Sequence, residues 1–294
     1  MKLHPECVSC IMDRAVSQLR IATDDDGLRL KALSLVAEFL SRNISEDAVP
    51  AHLGDEQNKI VMRVTSNPDL YRDRKKMNNE AAMELAPYAE RLVREAGGLR
   101  ERLRTALILA VIGNSMEFSV AGHKFDPQNF KGEFDALLSG GLAHDDLDEV
   151  ISKIMSSKEI LYLTDNCGEI IFDRILVKEI AGNGVKVFIT GKSIPVQEDV
   201  TMDDLRALGI HEFAEIISSG TAVGVRPDLG PGELFEKMEE VDLVLAKGMG
   251  NYETISEFED KLRGRLAYLL RAKCVPVARS LGVRKGALVA KFVK

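Results

Sequence analysis

Three short polar segments carry the residues of this sequence that are best suited to chemistry. Residues 165–169 (DNCGE) and 198–201 (EDVT) supply Asp165, Asn166 and Asp199, and residues 247–253 (KGMGNYE) supply Lys247. Carboxylate and amide oxygens are hard donors that suit Mg²⁺, Mn²⁺ or a related divalent ion. A metal with open coordination positions can bind a phosphate oxygen and activate a water, and a lysine can hold the phosphoryl group as a point charge. The segments together predict phosphoryl transfer.

Each of the three segments follows a predicted β-strand. Short apolar runs predict strands at residues 160–163, 185–189, 215–217, 242–245 and 266–270, with a closing edge strand at 288–292. Amphipathic stretches predict helices between them, at residues 170–180, 202–208, 234–238 and 256–262. This alternation implies a mostly parallel, doubly wound sheet whose ligands lie beyond the carboxyl ends of the strands. The three segments should therefore meet in one crevice.

The chain before this region has helical periodicity from Pro5 to about Phe118. Apolar residues recur at i, i+4 and i+7 spacing, as in Leu28, Ala32 and Leu35, which predicts an α-helical bundle. Residues 103–112 are apolar nearly all round, so they predict a central buried helix. We expect an N-terminal helical domain over residues 1–145 and an α/β domain with the metal site over residues 146–294.

A structural interpretation competes with the chemical one at each segment. An Asp after a strand commonly caps the next helix, and this applies to both Asp165 and Asp199. Lys247 and Gly248 are also compatible with a flexible, solvated turn. The chemical interpretation rests on the coincidence of three strand ends.

The same segments resemble the signature motifs of the DUF89 family, also called the damage-control phosphatases or the ARMT1-like family. Gly113-Asn114 followed by Glu117-Phe118 resembles a further motif, and Cys7-x-x-Cys10 with Lys273-Cys274 resembles the archaeal and bacterial branch. The motifs occur in the family's order and span nearly the whole chain.

The resemblance implies a Rossmann-like three-layer α/β/α sandwich beside an N-terminal helical region. It also implies a metal-dependent phosphatase that hydrolyses phosphate monoesters of small metabolites, such as sugar phosphates or phosphopantetheine-like compounds, in metabolite damage control. The cofactor would be Mn²⁺, Mg²⁺, Co²⁺ or Ni²⁺.

The resemblance also assigns site residues. Asp165, Asn166 and Asp199 would bind the metal, and together with Lys247 they form the predicted catalytic set. The predicted substrate-binding residues are Asn114, Glu117, Gly168, Glu169, Lys247, Asn251 and Glu253. Glu117 stands where the family pattern has Asp, so either the pocket differs there or Glu117 lies outside the metal's direct contacts.

Two mechanistic alternatives stay open in the sequence. Glu169 or Glu253 could orient an attacking water, or Asp165 could form a covalent aspartyl phosphate. The second alternative is disfavoured because the Asp-x-Asp pattern expected after such a nucleophile is absent.

The cysteines offer a possible second metal site. Cys7, Cys10 and Cys274 could bind zinc or iron if the two ends of the chain meet, because thiolates are soft ligands. The alternative is two helical cysteines one turn apart with a buried one elsewhere.

Charge and hydropathy limit the classes of partner that we expect this protein to bind. The 294 residues carry 46 acidic and 39 basic side chains, a net charge of −7, so we expect neither a nucleic acid nor an anionic membrane as partner. No apolar run reaches the roughly 20 residues of a bilayer span, and the first residues do not resemble a secretory signal. We expect a cytoplasmic protein acting on a small phosphorylated metabolite; the oligomeric state is not readable.

Other functions remain as alternatives. An S-adenosylmethionine-dependent carboxyl methyltransferase would use a similar fold, but the glycine-rich loop expected after the first strand is missing. A non-enzymatic metabolite-binding protein would have little reason to keep the full acidic set, because buried carboxylates are costly without a cation.

Overall fold

The computed structural model describes residues 1–116 and 130–294. The predicted substrate residue Glu117 lies outside the described residues. None of the helices in the described part of the chain is long and apolar enough to cross a bilayer.

The described residues form twelve α-helices and seven strands. The helices are α1 (Pro5–Ala22), α2 (Asp26–Asn43), α3 (Pro50–Thr65), α4 (Arg72–Glu95), α5 (Leu99–Gly113), α6 (Phe130–Gly140), α7 (Leu147–Ser156), α8 (Ile170–Gly182), α9 (Met202–Ala207), α10 (Gly232–Glu240), α11 (Gly248–Ile255) and α12 (Val275–Ser280). The strands are β1 (His144–Asp145), β2 (Glu159–Leu163), β3 (Lys186–Gly191), β4 (Glu215–Ser218), β5 (Leu243–Lys247), β6 (Leu266–Arg271) and β7 (Leu288–Phe292).

The strands build one sheet in the order β1-β7-β6-β5-β2-β3-β4. All neighbouring pairs are parallel except β6 and β7, so the predicted mostly parallel sheet is confirmed. The chain leaves β2 toward β3 and β4 on one side, and later builds β5 and β6 on the other side. This reversal between β2 and β5 is a topological switch point, where open α/β sheets bind their ligands.

Helices cover both faces of the sheet, which gives three layers. Along β2, Ile160 and Tyr162 pack with α5 and α8 on one face, whereas Leu161 and Leu163 pack with α10 and α11 on the other. Successive strand side chains point to opposite faces, and both faces are apolar because both are covered.

The N-terminal helices divide between two cores. Helices α1–α3 form a core of their own around Ala15, Val36 and Val61. Helices α4 and α5 instead share the core of the sheet and of α8, and the predicted central helix is confirmed because most of α5 between Leu103 and Gly113 is buried. The boundary between residues 145 and 146 stays a prediction.

Two expectations about elements are wrong. β7 is not the edge strand, since β1 pairs outside it; a two-residue His-Asp strand has no apolar alternation to reveal it. The helix expected at residues 256–262 lies earlier, at α11, and only a 3₁₀ turn occupies Glu259–Leu262. Gly248 and Gly250 lie in the first turn of α11, and glycines are typical of turns, so the sequence did not indicate a helix there.

Candidate active site

The loops after β2 and β3 bring the three predicted metal ligands together. The amide of Cys167 donates to the carbonyl of Glu198 at 2.9 Å, and the amide of Val200 donates to the carbonyl of Asp165 at 2.9 Å. These two hydrogen bonds form an antiparallel bridge between Asn166 and Asp199. The backbone therefore fixes the spacing between Asp165, Asn166 and Asp199.

The helix-capping interpretation of the two aspartates is wrong. The N-cap of α8 is Glu169, which makes no side-chain capping bond. The N-cap of α9 is Thr201, which forms a capping box with Asp204. Neither Asp165 nor Asp199 is therefore the N-cap of the helix that follows it.

The three residues line one cleft of about 270 Å³ between the sheet edge, α1 and α12. Asp165 is only 9% exposed and Asp199 only 7% exposed, so both residues line the cleft and are largely buried from solvent. Of the predicted substrate residues, Glu253 also lines this cleft.

Two amides orient the Asp165 carboxylate. Asn114 Nδ2 donates to Asp165 Oδ2 at 2.9 Å, and Asn166 Nδ2 donates to the same oxygen at 2.8 Å. Asn114 reaches in from the end of α5, and its own Oδ1 accepts from the backbone amide of Arg271 at 3.0 Å. The predicted approach of Asn114 from the helical region thus takes the form of a contact with Asp165, behind the cleft.

Gly248 packs directly against the Asp165 carboxylate. Its φ is +75°, and a Cβ at this position would lie 1.8 Å from Asp165 Oδ2. A residue with a Cβ is therefore disfavoured here for two reasons: the backbone is left-handed, and the carboxylate occupies the Cβ position. In the sequence alone, Gly248 is equally compatible with a flexible turn.

Gly248→Ala should displace Asp165, whereas Gly264→Ala should not. Both glycines have nearly the same φ, +75° and +74°, but nothing lies within 4 Å of the Cβ position at Gly264. The control should cost about 1–2 kcal/mol of unfolding free energy from its left-handed backbone alone. We expect Gly248→Ala to lose more stability than that, measured by urea unfolding. Equal losses in the two variants would contradict the packing argument.

Lys247 lies behind the site rather than in the cleft. Its Nζ is fully buried and contacts Glu169 Oε2 and Asp173 Oδ1, each at 2.6 Å. Burial alone would lower the pKa of Lys247, but attraction by Asp173 and Glu169 is stronger and raises it above its ordinary value. The lysine is thus held as a cation that pairs with two buried carboxyl groups.

Glu169 connects this buried ion cluster to the loop that carries Asp165 and Asn166. Its Oε1 accepts from the backbone amide of Asn166 at 3.0 Å and from Asn114 Nδ2 at 2.9 Å. Burial would raise the pKa of Glu169, but Lys247 and Lys273 outweigh it and lower the pKa. Glu169 is therefore an ionised acceptor that fixes the turn after β2.

Asn251 and Gly168 also hold the loops in place. Asn251 Nδ2 donates to the carbonyls of Thr164 at 3.0 Å and Lys247 at 2.8 Å, which ties the ends of β2 and β5 together. Gly168 lies against α4 with a φ of +86°. Both were predicted to bind substrate, and both lie where they position the strand ends.

Lys192 is a functional candidate that sequence reasoning did not select. It follows β3, is almost fully buried, and places its Nζ 3.7 Å from Asp199 Oδ2, with a hydrogen bond of 3.0 Å to the carbonyl of Gly224. Burial lowers the pKa of Lys192, opposed by the nearby Asp199 and Asp165. Its place directly after a strand end, like that of Asp165, was the available signal.

The three cysteines of the predicted second site line the same cleft. Cys7, Cys10 and Cys274 all contribute to its wall, so the two ends of the chain do meet. Burial raises the pKa of Cys7 to about 11 and that of Cys274 to about 12. Within residues 1–116 and 130–294, no three His, Cys, Asp or Glu side chains are grouped as a metal site. The soft-metal site stays a prediction.

Comparison with known proteins decides the family. The family model of the damage-control phosphatase ARMT1-like domain matches residues 3–289. The chain belongs to this family. A protein of Archaeoglobus fulgidus named damage-control phosphatase is 34% identical over 296 residues, which cover 100% of both chains.

A second relative supports the family and the fold. Damage-control phosphatase PH1575 of Pyrococcus horikoshii is 35% identical over 98% of this chain and 97% of its own. The crystal structure of this DUF89 family protein matches with a TM-score of 0.88 over 100% of both chains. The family resemblance and the three-layer α/β fold are thereby confirmed, and membership of the damage-control phosphatase family indicates a phosphatase.

Proposed function

We propose that this protein is a metal-dependent phosphatase that hydrolyses phosphate monoesters of small metabolites. The observation that carries the proposal is the backbone bridge that brings Asp165, Asn166 and Asp199 to one cleft at the switch point of the sheet. The cleft volume of about 270 Å³ suits a small substrate, which favours a sugar phosphate over a longer phosphopantetheine-like compound.

The residues present fit a hard divalent ion. Two largely buried carboxylates and an amide form the donor set, and the ammonium group of Lys192 lies 3.7 Å from Asp199. The Nδ2 atom of Asn166 donates to Asp165 and Glu169. The Oδ1 atom of the same amide therefore points away from these two carboxylates. Oxygen-rich sites of this kind select Mg²⁺ or Mn²⁺ over softer metals, and we propose one of these as the cofactor.

The bound ion and nearby side chains would have separate roles in hydrolysis. The bound ion would neutralise phosphate charge and acidify a water. Lys192 does not line the cleft itself, but its Nζ lies 3.7 Å from Asp199, so it would supply a second positive charge beside the phosphoryl oxygens in place of the role predicted for Lys247. Glu253 lines the cleft and Glu169 does not, so Glu253 is the better placed of the two glutamates to orient the water.

Lys192→Met tests this assignment most sharply. We expect hydrolysis of p-nitrophenyl phosphate by the wild type with Mn²⁺, Co²⁺, Ni²⁺ or Mg²⁺, and a fall in kcat/KM of about 10²–10³-fold in Lys192→Met, since one transition-state donor is lost. The control is Lys186→Met at the start of the same strand, where the lysine is exposed and pairs with Glu215. It should stay within about 2-fold of the wild type, as is usual for an exposed ion pair.

One result would reject the proposed activity and another would reject only the role of Lys192. Absence of phosphate release with all four metals would remove the phosphatase, and unchanged kinetics in Lys192→Met would remove the lysine from the site.

A further inference from the structure

Two consecutive asparagines on α4 reach the two loops that carry the proposed metal ligands. Asn78 Nδ2 donates to Glu198 Oε2 at 3.1 Å, beside Asp199. Asn79 Oδ1 accepts from the backbone amide of Gly168 at 2.6 Å, beyond Asp165 and Asn166. One turn of a helix outside the sheet therefore contacts both loops.

We infer that Asn78 and Asn79 are positioning residues that set the geometry of the metal-ligand loops. The inference rests on the proposed function, because it concerns the same cation site. Neither residue lines the cleft, so each would act through the loop that it holds.

The close approach of α4 supports this role. Gly168 has a φ of +86°, and a Cβ on it would lie 2.9 Å from Asn78 Cβ and 3.2 Å from the Asn78 carbonyl oxygen. The loop can thus lie directly against the helix backbone only because residue 168 is glycine. Helix α4 in turn packs against α8, which comes directly after that loop, so the helix is a rigid support.

The contact between Asn78 and Glu198 is a hydrogen bond from a buried amide to a buried carboxylate. Glu198 and Asn78 are both fully buried, and a hydrogen bond to a buried carboxylate is worth more than one between neutral groups. Residue 197, next to Glu198, has a left-handed backbone with a φ of +48°, and Gln197 Oε1 accepts from Arg14 Nη1 at 3.3 Å. The loop before Asp199 is therefore held in an uncommon conformation by contacts from α1 and α4.

The opposite hydrogen-bonding roles of the two asparagines give matched variants. Asn79→Asp keeps the acceptor oxygen for the Gly168 amide, whereas Asn79→Ala removes it. Asn78→Asp has nearly the same shape as the wild type but removes the donor and sets a second carboxylate against Glu198. Asn183→Asp, at the exposed end of α8, is the control for an Asn-to-Asp change away from the site.

The readout is the Mn²⁺ dissociation constant, measured by electron paramagnetic resonance, with circular dichroism to verify folding. Loss of a residue that supports metal ligands typically weakens binding by about 10–100-fold, and we expect this for Asn78→Asp and Asn79→Ala. Asn79→Asp and Asn183→Asp should bind within about 3-fold of the wild type, so that Asp rescues position 79 but not position 78. If Asn78→Asp does not fold, the pair at the half-buried position 79 decides alone.

The outcomes separate this inference from the proposed function. Wild-type Mn²⁺ affinity in folded Asn79→Ala, or equal losses in Asn79→Ala and Asn79→Asp, would overturn the positioning role. A wild type that binds Mn²⁺ but hydrolyses no phosphate ester would reject only the phosphatase. A wild type that binds no Mn²⁺ and releases no phosphate with any of the four metals would overturn both.

Discussion

Asp165→Ala and Asp199→Ala are each expected to lower kcat/KM for p-nitrophenyl phosphate by at least about 10³-fold. That loss corresponds to about 4 kcal/mol of transition-state stabilisation, as expected when a metal that neutralises phosphate charge is no longer held. The effect should be shared by the two variants and should not add in the double variant, because both residues serve the same ion.

Asp203→Ala is the matched control for this prediction. Asp203 lies four residues after Asp199 on α9, and its exposed side chain pairs only with Arg206 among the described ion pairs, at 2.8 Å. Its kcat/KM should stay within about 2-fold of the wild type, since an exposed ion pair contributes little. Activity in Asp165→Ala or Asp199→Ala close to that of Asp203→Ala would remove the proposed centre.

Lys247→Met should produce the largest loss of stability. The substitution leaves Glu169 and Asp173 buried without their cation, and breaking a buried ion pair from one side costs about 3–5 kcal/mol. Urea unfolding measures this free energy. Lys294→Met, which removes an exposed ion pair with Glu149 at 2.6 Å, is the control and should cost less than about 1 kcal/mol.

A second variant tests the charge argument. Burial raises the pKa of Asp173 above its ordinary value, against the attraction of Lys247. In the Lys247→Met background, Asp173→Asn removes a buried carboxyl group that has lost its lysine partner and should recover part of the lost stability. If Lys247→Met unfolds at the same urea concentration as Lys294→Met, the buried cluster does not stabilise the fold in this way.

The sheet and the loops that carry Asp165, Asn166 and Asp199 were predictable because they depend on local patterns. Strands that are buried on both faces are continuous apolar runs, and parallel topology places the loops after these strands at one edge of the sheet. Asp165, Asn166 and Asp199 could therefore be grouped without knowing any contact, and the structure does line one cleft with them.

The different positions of Lys192 and Lys247 could not be predicted in the same way. Lys192 and Lys247 both occur at strand ends, and the sequence does not show which one lies beside Asp199. Lys247 faces Asp173 and Glu169, which lie on or next to α8, a distance of more than seventy residues along the chain. A carboxylate pair in and beside a helix that is otherwise largely apolar is the signal that could have identified Lys247 as a buried counter-ion.

The supporting contacts from the helical region were also beyond sequence reasoning. Asn78 and Asn79 lie in a polar stretch of α4 with no motif of their own, and Gly248 resembles an ordinary turn glycine until the carboxylate beside it is seen. Such roles follow from the packing of elements that are distant in the chain, which the local pattern does not encode.

The most direct measurement is an anomalous diffraction map at the manganese absorption edge, from crystals grown with Mn²⁺ and inorganic phosphate. The expected result is one strong peak within coordination distance of Asp165, Asn166 and Asp199, with phosphate bound between the ion and Lys192. A strong peak elsewhere, for example at Cys7, Cys10 and Cys274, with none at Asp165 and Asp199, would contradict the account.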